Sequence, residues 1–202
     1  MQSSKSQNAF FVRYSFDRLV DFCIWILEQG GLQVPPFDAH PEGDGILRNV
    51  GVQAQQWKLW LVGATQQAES LSQHMVASPQ QHASLTATDF SPSAWPGTTA
   101  VKNTLQTLWQ QYQPLSSKRR KWEVPLAIQW RPVNDQLWHD LQVYQPRLPS
   151  LRIYLVEYPK QIGYPIWPAS MIVTVVDGQL DNEAFRQLVL RTAEELATSQ
   201  RS

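Results

Sequence analysis

The densest run of ligand-type side chains is Asp38-Ala39-His40-Pro41-Glu42-Gly43-Asp44, which sets three carboxylates and one imidazole at alternate positions. Oxygen ligands with a single imidazole suit a divalent cation, so Asp38, His40, Glu42 and Asp44 are the candidate metal ligands. The run departs from the calcium-loop pattern, because the twelfth position from Asp38 is Asn49 rather than a bidentate Glu. Pro and Gly among polar residues also make ordinary turns, and the expectation is a loop that holds no metal. His74, His82 and His139 show no zinc spacing. His139 stands beside Asp140 in sequence, but neighbours on a helix point in different directions and do not form a base pair by adjacency alone.

Two further runs carry binding chemistry. Lys118, Arg119, Arg120 and Lys121 followed by Trp122 join four cations to an aromatic ring, a composition that can grip phosphate while stacking on a base. The connection Pro159 to Pro168 carries Tyr164 and Trp167 and follows Tyr158. Tyr and Trp offer large apolar area with a polar handle, and prolines stiffen the loop that presents them, so Tyr158, Tyr164 and Trp167 are the partner-binding candidates. The counter-reading is a connection folded back over a sheet. Cys23 lies in the apolar run Phe22 to Leu27, where a thiol packs as a small hydrophobe rather than acting as a nucleophile. No nucleotide-binding glycine loop and no Gly-x-Ser-x-Gly elbow occurs, and no cofactor is expected.

Elements must position these residues. Phe10 to Tyr14 reads as a strand, and Ser15 as the N-cap of a helix that is apolar on nearly every side and stops at Gly30-Gly31. Trp57, Trp60, Leu61, Ala64, Ala68, Leu71 and Met75 follow one helical face, although 57–62 alone would also suit a strand. Thr98 or Thr99 caps a helix striped by Val101, Leu105, Leu108, Trp109 and Tyr112, which the pattern ends before Pro114. Leu126 to Trp130 reads as a strand and Val133 to Tyr144 as a short helix between Pro132 and Pro146. Strands near 151–158 and 171–176 are β-branched and aromatic and are expected to share a sheet. Asp181 caps a last helix facing inward through Phe185, Leu188, Val189, Thr192 and Leu196.

The fold class is therefore α+β: a helix-rich N-terminal part, a small sheet and a C-terminal helix. One domain over 1–202 is expected, with sub-lobes 9–77 and 98–199 joined by a polar connection at 78–97. With 43% hydrophobic and 17% charged residues, the chain has the apolar material to fold. Seventeen basic and 17 acidic residues cancel, so nucleic acid is not attracted by the whole molecule and self-association meets little repulsion. One cysteine, no apolar stretch near membrane length and a polar start point to the cytoplasm. The leading functional expectation is a non-catalytic interaction or assembly protein that binds a protein partner or itself. An enzyme of unmarked type with a His-containing pocket, and a nucleic-acid or phosphate binder using the 118–121 turn, are the alternatives.

Overall fold

Backbone chemistry at the start of the chain decides where the first helix begins. In this computed structural model, which describes residues 11–37, 45–77, 95–119, 121–122, 131–145, 147–148, 150–179 and 181–199, strand β1 spans Phe11–Ser15. Helix α1 follows at Arg18–Gly30. Its cap is Asp17 rather than the expected Ser15, which is spent as the last strand residue. Asp17 Oδ1 accepts from the amides of Leu19 (2.8 Å) and Val20 (3.1 Å), and its charge sits at the positive helix end. Gly31, at φ 64°, closes the helix in a left-handed conformation that a side chain would resist.

The chain divides into two compact units, Met1–Phe16 with Trp122–Ser202, and Asp17–Lys121. The anticipated join at 78–97 falls inside the second unit, and 78–94 lies outside the described residues. Strand pairing makes the difference: β1 is hydrogen-bonded into the sheet of the C-terminal residues, a non-local pairing that composition does not report.

The helical unit is built around α1, whose residues Leu19 to Leu27 are all buried. Against it pack α2 (Ile46–Asn49), α3 (Ala54–Ala77) and α4 (Thr99–Arg119). The stretch 57–62 is helical. Trp57, Trp60, Leu61, Ala64 and Ala68 form its buried face, and the indole N–H groups reach the carbonyls of Cys23 (2.7 Å) and Pro96 (3.0 Å). Rings of Phe22, Trp25, Trp95, Trp109 and Tyr112 fill the centre, with Phe22 edge-on to Trp109 at 4.9 Å. Helix α4 runs through Pro114 to Arg119, past its expected end. The proline forfeits one backbone hydrogen bond, but Ser116 is buried beyond it and Arg119 is tied to Asp21 and Glu28, so tertiary contacts hold the final turn.

The sheet unit contains α5 (Arg131–Leu141), a 3₁₀ turn at Gln142–Tyr144, β2 (Ser150–Glu157), β3 (Gly163–Ile166), β4 (Ser170–Val175) and α6 (Asn182–Ser199). The expected strand at Leu126 to Trp130 lies outside the described residues. Strand order is β1-β2-β4-β3, with β1, β2 and β4 parallel and β3 antiparallel at one edge. The two strands expected to share a sheet are thus immediate neighbours. Leu151, Ile153, Leu155, Met171, Val173 and Val175 pack in one core with Phe185, Val189 and Leu196 of α6 and Leu137 and Leu141 of α5. Tyr154, Val156 and Ile172 of the other face are buried too, as strands of a parallel ladder generally are. Asp181 Oδ1 caps α6 by accepting from Ala184 N at 2.7 Å.

β3 and α6 meet where there is no side chain. A Cβ at Gly163 would press on Thr192 Oγ1 and lie 2.9 Å from Leu188 Cδ1. Gly163→Ala is therefore expected to cost about 1–3 kcal/mol through overpacking, measured by urea unfolding. An unchanged midpoint would mean that this helix and strand are not in contact.

Candidate functional site

The connection carrying the aromatic candidates is held by one hydroxyl. Thr174, fully buried on β4, accepts from Ile162 N (2.6 Å) and donates to Lys160 O (2.7 Å), so its side chain replaces ladder bonds that the turn out of β2 cannot make. Thr174 N in turn donates to Ile162 O at 3.0 Å, and β3 then runs back along β4. A short strand thus occupies the middle of what read as a loop. It escaped the sequence pattern because it has four residues and Pro165 among them, and a proline is tolerated in a strand at a sheet edge.

This scaffold separates the three aromatic candidates. Tyr158 is 2% exposed and belongs to the core, its amide bonded to Val175 O at 3.0 Å. Tyr164 is half-buried, and that burial raises its hydroxyl pKa above the ordinary tyrosine value. Trp167 is 65% exposed on the turn between β3 and β4. The turn presents one indole outward, not a cluster of three.

The basic run is dispersed in a different way. Arg119 Nε lies 3.2 Å from Asp21 Oδ2 and its Nη1 3.3 Å from Glu28 Oε2, while Tyr112 OH donates to Asp21 Oδ2 at 2.7 Å. Asp21 is almost wholly buried, so this guanidinium is spent on a charge that the helical unit has placed inside itself. Trp122 is 7% exposed, in the core of the sheet unit, and its Nε1 has no hydrogen-bond partner among the described residues. Lys118 and Lys121 are exposed, and Arg120 lies outside the described residues. The pairing of an accessible ring with four cations, anticipated from adjacency, is not formed by Trp122 and Arg119.

His139 is exposed, and the neighbouring Asp140 is engaged by Arg186, whose Nε lies 2.7 Å from Asp140 Oδ2. That hydrogen bond is the main reason the Arg186 pKa is raised. Residues 38–44, including Asp38, His40, Glu42 and Asp44, lie outside the described residues. Among the described residues, no three His, Cys, Asp or Glu side chains gather as a metal site, and no helix is long and apolar enough to cross a membrane.

One concavity has no counterpart in the sequence reading. Gln161, Thr174, Val176, Asp177, Gln179 and Asp181 line an open polar cleft of about 300 Å³, where β4 ends and α6 begins. Asp177 there has φ 51°, and the tight turn continues through Gly178 at φ 70°. The turn at Asp177-Gly178 is a local feature, whereas its approach to Gln161 depends on the β3 detour.

Comparison with protein-family models, with curated proteins and with solved structures finds no match to this chain.

Two expectations follow from the buried groups. Burial, and secondarily the negative charges of Asp17 and Asp21, raise the Cys23 thiol pKa well above its ordinary value, which suppresses the reactive thiolate. Alkylation of native protein should be at least about 1,000-fold slower than that of the urea-unfolded chain, in keeping with a folding stability of several kcal/mol; rapid stoichiometric labelling would contradict it. Arg119→Met should destabilise by about 3–5 kcal/mol in chemical unfolding, because it strands the Asp21 charge. Combining it with Asp21→Asn should recover much of that loss.

Proposed function

We propose that this chain is a non-catalytic interaction or assembly protein that docks a protein surface through Trp167. The observation that carries this reading is the 65% exposure of Trp167, on a two-strand turn whose flanks are hydrogen-bonded into the sheet. Most of the chain's other indoles are used inside: Trp25, Trp57, Trp60, Trp95, Trp109 and Trp122 are at most 7% exposed. Against that usage, a large aromatic side chain left in solvent on a rigid turn is a contact waiting for a partner. A side chain held by strands on both sides loses little further freedom on docking, so the apolar area it offers is converted efficiently into affinity.

A second copy of the chain is the first partner to consider. The formal net charge of zero leaves no long-range repulsion between copies. The reading narrows the surface to Trp167, with Tyr164 supporting it from β3 and Tyr158 fixing the end of β2 from within the core. The phosphate-binding use of the 118–121 turn is weakened by the engagement of Arg119 and the burial of Trp122.

Trp167→Ala tests it. Folding stability should change by no more than about 0.5 kcal/mol, as for an exposed position. Self-association measured by sedimentation, or retention of a captured protein partner, should weaken by about 2 kcal/mol or more. A variant that associates as strongly as the parent would end the proposal, and a stability loss of about 3–5 kcal/mol would show the indole to be core instead.

A further inference from the structure

In the helical unit one phenol stands where the indoles converge. The ring of Tyr112, wholly buried on α4, has its centroid 5.2 Å from that of Phe22, 5.5 Å from Trp25 and 5.6 Å from Trp109. Phe22 in turn lies 4.9 Å from Trp109 and 5.8 Å from Trp95, which stacks on Trp60 at 5.6 Å. Packing uses the volume of the Tyr112 ring but has no need of its oxygen. That hydroxyl donates to Asp21 Oδ2 at 2.7 Å and lies 3.2 Å from Arg18 O. A buried carboxylate is a costly neighbour for a position that phenylalanine would fill equally well.

What sets Tyr112 apart from the neighbouring indoles is the base that its proton faces. The indole N–H groups of Trp57 and Trp60 donate to backbone carbonyls, which are too weakly basic to take a proton. The Tyr112 O–H faces a carboxylate, which can. Asp21 can be neutralised without stranding a cation, because the Arg119 guanidinium that it pairs with also has Glu28 Oε2 3.3 Å from Nη1. Near Trp109 the charge has the opposite sign. The guanidinium carbon of Arg18 stands 5.2 Å from the centre of the Trp109 ring, so positive charge on that indole is repelled.

We propose that Tyr112 is the terminal electron donor of this aromatic cluster, with Asp21 as its proton acceptor. A diffusible one-electron oxidant, such as a small inorganic radical, takes an electron from an indole, is itself reduced, and leaves an indole radical cation. One electron then passes from the Tyr112 ring to that indole, directly to Trp25 or Trp109 or through Phe22, while the hydroxyl proton moves to Asp21 Oδ2. The products are an intact indole, a Tyr112 phenoxyl radical and a protonated Asp21, so electrons and protons balance. The step runs downhill because a phenol that sheds its proton is easier to oxidise than an indole that keeps its own. Its consequence is protection of the core: an indole radical adds dioxygen and is destroyed, whereas a phenoxyl radical reacts with dioxygen slowly. An electron from a diffusible thiolate, with the proton held on Asp21, restores the phenol. The site is separate from the Trp167 turn and does not rest on the interaction reading.

The test uses the full chain carrying Trp130→Phe, Trp138→Phe and Trp167→Phe, so that each remaining indole is at most 7% exposed. Azidyl radical made by pulse radiolysis oxidises the indoles, and the radical absorptions are followed in time. In this parent the indole radical should convert to a tyrosine radical at a rate independent of protein concentration, and the conversion should slow in heavy water. Tyr112→Phe, which keeps the ring, should abolish the conversion. Asp21→Asn, which keeps a hydrogen-bond acceptor but removes the base, should slow it by about 100-fold. Both variants leave Arg119 paired with Glu28, and near-ultraviolet circular dichroism before irradiation checks that the aromatic packing is kept. The proposal is overturned if the parent's indole radical decays only by reaction between molecules, if Tyr112→Phe forms a tyrosine radical as fast as the parent, or if Asp21→Asn keeps the parent's rate.

Discussion

The chain leaves its sheet after β1 and rejoins the same unit at Trp122, and this excursion sets the terms for everything else. In the sheet unit, the residues at the two cuts touch: the rings of Phe16 and Trp122 meet edge to face at 5.3 Å. In the helical unit the corresponding clasp is ionic, with Arg119 near the end of α4 on Asp21 near the start of α1. A long excursion adds only a slowly growing closure entropy, provided its ends are held, and each unit holds them with its own side chains. With the ends fixed, β1 can occupy the flank of β2, which would otherwise present an apolar strand edge for unwanted pairing.

The same economy explains where the tryptophans went. An α1 buried along its whole apolar length needs large side chains on the helices around it, and Trp57, Trp60 and Trp109 supply volume that aliphatic residues would need several positions to match. The cost of burying indole N–H groups is offset where a backbone carbonyl is in reach, as Cys23 and Pro96 are. A high tryptophan content is thus a packing device in this chain, and abundance by itself carries no information about binding. Exposure does, and among the described residues it falls on two indoles, Trp167 at 65% and Trp138 at 45%.

What could be read from the sequence was local. The last helix was legible because its cap, Asp181, and its inward stripe from Phe185 to Leu196 lie within one short window, and α1 was legible because its apolar residues are consecutive. The end of α4 was misplaced because the local penalty of Pro114 is outweighed by partners of Arg119 that lie 98 and 91 residues earlier in the chain. The make-up of the basic run was hidden for the same reason: adjacency cannot tell that Arg119 answers a buried carboxylate and that the ring of Trp122 belongs to a core.

The edge formed by β3 constrains how anything can dock beside Trp167. The bond from Thr174 N to Ile162 O sets the alternation of the antiparallel ladder, so Tyr164 opposite Ile172 and Ile166 opposite Ser170 are the hydrogen-bonded pairs. Pro165 falls between them, where a backbone N–H would point away from β4 toward the side on which no described strand pairs. The absent donor therefore costs the sheet nothing, yet it deprives an incoming strand of the bond it would need at the centre of a four-residue edge. Addition of a strand along β3 is disfavoured by that one residue. A partner at this corner is left with side-chain contact, and the side chain on offer is the indole of Trp167.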